Sequence, residues 1–252
     1  MLYTIMFSPT GGTSKAARRL AEGFSMPQKE VDLFHKGYER RIPELSPEDI
    51  CIVAAPVYSG RIPAIEAERI RLIQGNGAKA VALAVYGNCK PGDAILELGD
   101  LLKDCGFKLI AGIEAIAEHS LIRKFAAGRP DAEDVKLLKN FAAEIENKII
   151  VGDMSEPVLP GNRPYKIPNK STLHPFVLNG CINCGICARE CPAAAISFSG
   201  NWVADTDKCI SCMHCIRFCP KSYRILDETA LKALEERLAP IAAVRKENKL
   251  YI

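Results

Sequence analysis

The 252-residue chain is 48% hydrophobic and 25% charged, an ordinary balance for a globular protein. Its formal charge of +3 is evenly spread: residues 1–150 carry 20 basic and 20 acidic side chains, the remainder 13 and 10, so no basic stripe suggests nucleic-acid binding. No apolar run reaches bilayer length and the opening MLYTIMFSP lacks a basic start, so the expected location is the cytoplasm, with no membrane partner.

From residue 1 to about 150, apolar runs alternate with amphipathic stretches. LYTIMF (2–7) reads as a buried strand ending at Ser8-Pro9. TSKAARRLAEGF then places Ala16, Ala17, Leu20, Ala21 and Phe24 on one helical face. EVDLF (30–34), DICIVAAPV (49–57), AKAVALAVY (78–86) and FKLIAGIEAI (107–116) supply four more strands. Between them, IEAERIRLI (65–73) and DAILELGDLLKDCG (93–106) are helices, the second stopped by Gly106. DAEDVKLLKNFAAEIENKII closes the segment as a longer helix. Strands alternating with helices predict an α/β fold with a doubly wound, five-stranded parallel sheet.

Residues 151–175 change character. EPVLPGNRPYKIPNK holds four prolines, too many for a helix or a central strand, and reads as an extended linker. A cysteine-rich segment follows at about 176–226. DETALKALEERLAPIAAV then predicts a helix from near Asp227, within a tail running to 252, with Leu231, Leu234 and Leu238 on the face that packs against the rest of the chain.

Eight of the eleven cysteines lie within 181–219, while Cys51, Cys89 and Cys105 stand singly. Cys181, Cys184, Cys187 and Cys191-Pro192 repeat as Cys209, Cys212, Cys215 and Cys219-Pro220. In a reducing compartment such thiols hold metal rather than pair as disulfides. Zinc favours two separated pairs around a tetrahedral ion, which these dense runs fit poorly. Each run has the spacing C-x2-C-x2-C-x3-C-P, and residues 176–226 resemble the bacterial 2[4Fe-4S] ferredoxins, a small α+β fold. The resemblance implies two [4Fe-4S] clusters, one held by Cys181, Cys184, Cys187 and Cys219, the other by Cys209, Cys212, Cys215 and Cys191. AISFSGNWVADTDK between the runs reads as two short strands around a Ser-Gly-Asn turn. Each cluster with its four thiolates carries about −2, which would turn the mild positive charge negative.

At the other end, SPTGGT (8–13) joins the first strand to the first helix, where amides and the helix N-terminus favour phosphate. Ser8, Thr10 and Thr13 offer hydroxyls, and Gly11 and Gly12 allow close backbone approach. Neither G-x-G-x-x-G nor a P-loop is present. The hydroxyl-rich loop resembles that of the flavodoxins, which implies FMN at the switch point between strands one and three. By that resemblance PVYSGRIP (56–63) and YGNCKPGD (86–93) hold the ring, with Pro56, Val57, Tyr58, Ser59, Gly60, Tyr86, Gly87 and Asn88 as contacts. Departures from the pattern are Pro9, which offers no amide, and the lone Trp202, which lies in the cysteine segment and leaves one ring face to a substrate or to the second domain.

Other residues carry weaker signals. His119, after the fifth strand, is a candidate proton donor or a locally bonded loop histidine, and His214, between two candidate ligands, a tuner of its cluster. Cys89 reads as a bystander thiol, and Arg61, Arg123 and Lys124 as solvated charge or an anion site. The whole resembles a flavodoxin–ferredoxin fusion, an iron-sulfur flavoprotein that exchanges electrons between clusters and FMN. That implies an oxidoreductase acting on a small-molecule acceptor, or a carrier between redox partner proteins; a ferredoxin with a flavin-free docking domain is the third reading. No motif for a pyridine nucleotide is present.

Overall fold

The computed structural model describes residues 1–169, 171–197 and 202–252. Its strands are β1 Leu2–Met6, β2 Gln28–Asp32, β3 Ile50–Pro56, β4 Lys79–Tyr86, β5 Lys108–Ile116, β6 Phe176–Val177, β7 Arg224–Ile225 and β8 Lys249–Tyr251. The helices are α1 Gly12–Ala21, α2 Ala64–Ile70, α3 Ala94–Asp104, α4 Ala132–Ile150, α5 Ile186–Arg189, α6 His214–Arg217 and α7 Glu228–Ala242.

Strands β1 to β5 pair in parallel in the order β2-β1-β3-β4-β5. This is the flavodoxin-like order. Because β1 lies between β2 and β3, the chain leaves it toward opposite sides, and a crevice opens at the carboxyl ends of β1 and β3. Strand periodicity sorts the core into two layers. Ile50, Ile52, Ala54, Val81, Leu83 and Val85 face α1 and α4, while Cys51, Val53, Ala55, Ala80, Ala82 and Ala84 face α2 and α3.

The sheet has six strands, not five. Strand β8, from the far end of the chain, pairs antiparallel with β5 and covers what would be an open edge. Three residues are too few to show an alternating pattern, so its partner is defined only once β5 is in place. The tail that delivers β8 is held by buried polar groups: Asn248 Oδ1 accepts from the Ile116 amide at 2.8 Å, and Arg129 Nη1 donates to the Lys246 carbonyl at 2.8 Å. Helix α7 lays Leu231, Leu234 and Leu238 against Ile122 and Phe125, on its own chain as expected.

The proline-rich connection follows the surface of the sheet domain. Leu159 fills a slot that two glycines keep open; a Cβ on Gly99 would come within 2.5 Å of it. Asp93 accepts from the amides of Asn162 and Lys166 at 3.0 and 2.7 Å, and Asp100 accepts from the Tyr165 hydroxyl at 2.6 Å. These bonds hold both carboxyls below their usual range; for Asp100, burial pushes up and the Arg163, Tyr165 and Lys103 contacts prevail, down to about 2.

In the cysteine domain β6 and β7 form a two-stranded sheet. Ile196 and Ala204 make an antiparallel bridge where two short strands were expected; the Ser-Gly-Asn turn between them lies outside the described residues. Among the described residues no helix is long and apolar enough to cross a membrane.

Candidate functional site

The sequence repeat is also a conformational repeat. Left-handed φ values occur at Asn183, Gly185 and Ala194, and again 28 residues later at Ser211, Met213 and Ser222. The helices α5 and α6 start in register, each carrying the third cysteine of its run. This shared path curls each C-x2-C-x2-C segment around one cavity while its fourth cysteine points toward the other.

Cys181, Cys184, Cys187 and Cys219 line one cavity of about 330 Å³. Cys191, Cys209, Cys212 and Cys215 line a second of about 380 Å³, walled otherwise by apolar residues such as Ile196, Ala204 and Met213. The first is the outer one, with Cys184 exposed; the second is the inner one, with Cys212 buried. Burial pushes the Cys215 thiol up to about 12 and raises Cys209 and Cys212 as well. As thiolates these sulfurs therefore require compensating positive charge within the cavity.

A second observation tests the fit of an iron-sulfur group. Arg224 is 2% exposed, and its Nη1 donates to the Pro175 carbonyl at 3.3 Å, while Nε and Nη2 have no partner among the described residues. It lines the outer cavity and is near enough to the inner one to favour the thiolates of Cys209 and Cys215. A buried guanidinium with idle donors calls for an anion, and a cluster with four thiolates is a net anion. The donor set and the orphaned cation both fit. Nothing in the sequence singled out Arg224, because a lone arginine in a short strand has no motif.

The N-terminal loop forms the other site. Gly11, at φ 93°, turns the chain into α1; the Ser8 hydroxyl accepts from the Ser14 amide at 2.9 Å, and Ser14 Oγ donates back to the Gly11 carbonyl at 3.0 Å. A cavity of about 440 Å³ sits at the carboxyl ends of β1, β3, β4 and β5. Thr10, Gly12, Thr13, Pro56, Val57, Tyr58, Tyr86 and Gly87 line it, together with Glu118, His119 and Ser120 after β5. Of the expected residues, Ser8 and Gly11 shape the loop without lining the cavity.

Three others turn away. Ser59 Oγ donates to the Asn169 carbonyl at 3.2 Å, and Gly60 packs against Gly92 and Lys166. Asn88, 3% exposed, donates to the carbonyls of Ala242 and Val244 and accepts from the Lys246 amide. The C-terminal tail uses this side chain, and the sequence of its own loop gave no sign of it.

His119 Nδ1 accepts from the amides of Leu121 and Ile122 at 3.2 and 3.1 Å, and burial pushes its pKa down to about 4. The ring is neutral near pH 7 with its proton on Nε2, a hydrogen-bond donor rather than an acid. Gly87 must lack a side chain here, since a Cβ would lie 2.7 Å from the His119 backbone. Desolvation lifts the Tyr58 phenol well above its ordinary value, and nearby Cys212 adds to the effect. Cys89 packs among apolar residues, with burial raising its thiol. Arg61 is bidentate to Glu97 at 2.6 and 2.7 Å, Arg123 bonds Glu118 at 2.5 Å, and Lys124 bonds Glu235, so each has a structural partner.

The two sites face one another. A cleft of about 860 Å³ has Thr10, Gly12, Glu118 and Ser120 on one wall and Met213, Arg217, Cys219 and Ser222 on the other. It shares Thr10, Gly12, Glu118 and Ser120 with the cavity above β1. Met213 lines both this cleft and the inner cysteine cavity.

Comparison with known proteins agrees with the motif. Residues 180–223 match the 4Fe-4S dicluster domain family. No curated protein matches the chain in sequence. Among solved structures, rubredoxin oxygen:oxidoreductase from the anaerobe Desulfovibrio gigas aligns at 21% identity and TM-score 0.44, over 60% of this chain and 36% of that one. A flavodoxin from the domain Archaea aligns at 14% identity and TM-score 0.43, over 60% of this chain and 99% of its own. The Streptococcus pneumonia TIGR4 flavodoxin gives 19%, TM-score 0.40, 59% and 99%. The chain thus spans about a third of the first of these proteins. The flavodoxin-like character of the sheet rests on its own strand order. The chain joins a flavodoxin-like sheet to a 4Fe-4S domain, a combination suited to electron transfer.

Proposed function

We propose that the chain is an iron-sulfur flavoprotein in which two [4Fe-4S] clusters exchange electrons with FMN, acting as an oxidoreductase on a small acceptor that enters the cleft between the domains. Cys181, Cys184, Cys187 and Cys219 would hold the outer cluster, and Cys191, Cys209, Cys212 and Cys215 the inner one. Thr10, Thr13 and the start of α1 would hold the FMN phosphate, with Pro56, Val57, Tyr58, Tyr86 and Gly87 around the remainder. When bound, the clusters supply single electrons and the flavin one or two.

The observation that carries this reading is the shared cleft: Cys219 and the phosphate-loop residues Thr10 and Gly12 line one cavity. A carrier with a covered flavin needs no such space, so the open cleft favours the enzyme. Within it, Arg217 and the Ser120 and Ser222 hydroxyls can bind and orient an anionic acceptor, and Met213 keeps water from the inner cavity. His119 offers a neutral Nε2–H as a hydrogen-bond donor at the rim.

The reading is tested by anaerobic purification, identification of released flavin, and iron and sulfide counts. About one FMN and about eight iron per chain are expected. Iron without flavin, even after reconstitution with FMN, would reduce the chain to a ferredoxin with a docking domain. Oxidation of the reduced protein by small anionic acceptors then separates enzyme from carrier.

A further inference from the structure

We propose that His35, Glu190 and His214 form a site for one first-row divalent cation, which clips the cysteine domain onto the flavodoxin-like sheet. The three come from separate parts of the chain: His35 follows β2, Glu190 follows α5, and His214 opens α6. One ligand atom from each lies within 4.8 Å of those of the other two.

Both imidazoles are held ready to bind through the same nitrogen. His214 Nδ1 lies 2.7 Å from the Pro9 carbonyl, which can only accept, so the proton is on Nδ1 and the lone pair on Nε2. His35 Nδ1 bonds the Asp32 carboxylate in the same way, leaving Nε2 free. A ring nitrogen given to a carbonyl or carboxylate while the other is free is the usual arrangement around a metal-bound histidine. Aromatic neighbours orient both rings. His214 packs against Phe34 and Phe218, each ring centroid 4.5 Å away and the planes tilted by 47° and 35°, and His35 meets Phe34 in a T-shaped contact at 5.0 Å. Glu190 is half-buried and brings a carboxylate oxygen to the two imidazoles.

Two imidazoles and a carboxylate suit zinc or iron(II), with water completing the shell. Bonds of about 2.0–2.1 Å put tetrahedral ligand atoms about 3.3 Å apart. Closing to that spacing requires small rotations of exposed His35 and half-buried Glu190, while His214 stays fixed. The ion would join the domains where they already touch, since Arg69 Nη2 donates to the Pro192 carbonyl at 3.1 Å beside it. Glu190 directly precedes Cys191, so the clip would also anchor a residue of the inner cavity.

The test uses the anaerobically purified full chain, equilibrated with zinc or iron(II) buffered at micromolar free concentration, with metals counted afterwards. Wild type should take up one zinc beyond its resident iron, and H35A and E190Q should take up none, with iron and flavin contents unchanged. D32N, which weakens the bond orienting His35 along with the ion pair of Asp32 to Arg41, should lower zinc affinity about tenfold. Zinc should also slow proteolysis of the proline-rich connection in wild type but not in H35A. Uptake of iron(II) in place of zinc, with the same variant sensitivity, supports the site and identifies its cation. Zinc uptake equal in wild type, H35A and E190Q, no uptake in wild type, or iron lost in step with zinc gained would each overturn the proposal.

Discussion

His214 and Pro9 are 205 positions apart, yet the imidazole Nδ1 of one lies 2.7 Å from the carbonyl of the other. The contact joins α6, between two cysteines of the inner cavity, to the loop between β1 and α1 that lines the cavity above the sheet. Pro9 cannot offer an amide to a phosphate, but its carbonyl is free to accept. This loop therefore helps seat the cysteine domain on the sheet.

The crossed cysteine sets give a prediction that separates them from runs acting independently. C191S combined with C209S should impair one cluster and leave about four iron per chain. C191S combined with C187S should impair both. If each run held its own cluster, the two results would be interchanged, and iron counts with EPR of the reduced proteins decide.

Arg224 should tune the clusters through its charge. R224Q keeps much of the shape and removes the buried cation, so the reduced, more negative states lose stabilisation. Midpoint potentials should fall by tens of millivolts, on the order expected for one charge at short range in a partly screened interior. Unchanged potentials in a redox titration of intact R224Q would show that the guanidinium serves packing alone.

At the proposed flavin site, T13V should weaken FMN binding about tenfold through loss of a hydroxyl donor, with cluster content intact. N88A should act in the opposite pattern. It removes bonds to Ala242, Val244 and Lys246, so it should lower the melting temperature at a cost of about 2–3 kcal/mol while leaving flavin content unchanged. Loss of FMN in a folded N88A would return this residue to the flavin site.

Glu66 predicts a pH effect. Both its carboxylate oxygens are buried without a partner among the described residues, and burial lifts its pKa well above 4.5; Arg69 opposes and Glu97 adds to the shift. The folded chain thus holds a proton that the unfolded chain releases near pH 4.5. Its contribution to stability is complete below that pH and is lost as pH rises toward the folded value. Relative to E66Q, wild type should lose up to about 1.4 kcal/mol per pH unit in that window, read from urea midpoints. Parallel curves for the two proteins would contradict the burial of an unpaired acid.

The sheet was legible from sequence because its central strands, β3 to β5, are buried on both faces. VALAVY and IVAAPV are continuous apolar runs, and each following helix shows its stripe, so local pattern and final environment agree. The cysteine repeat was legible for a chemical reason: metal ligands must recur at fixed spacing, and the 28-residue offset reappears in the backbone angles. Long-range contacts were not legible. Strand β8 is three residues long, the partners of Asn88 are more than 150 residues away, and Arg224 carries no motif. Sequence by itself determined which elements form and which thiols group, since periodicity and ligand spacing are local properties. Only the tertiary structure decided which loop residues face a cavity, how the tail closes the sheet edge, and that His35, Glu190 and His214 meet, because those depend on how separately folded segments pack.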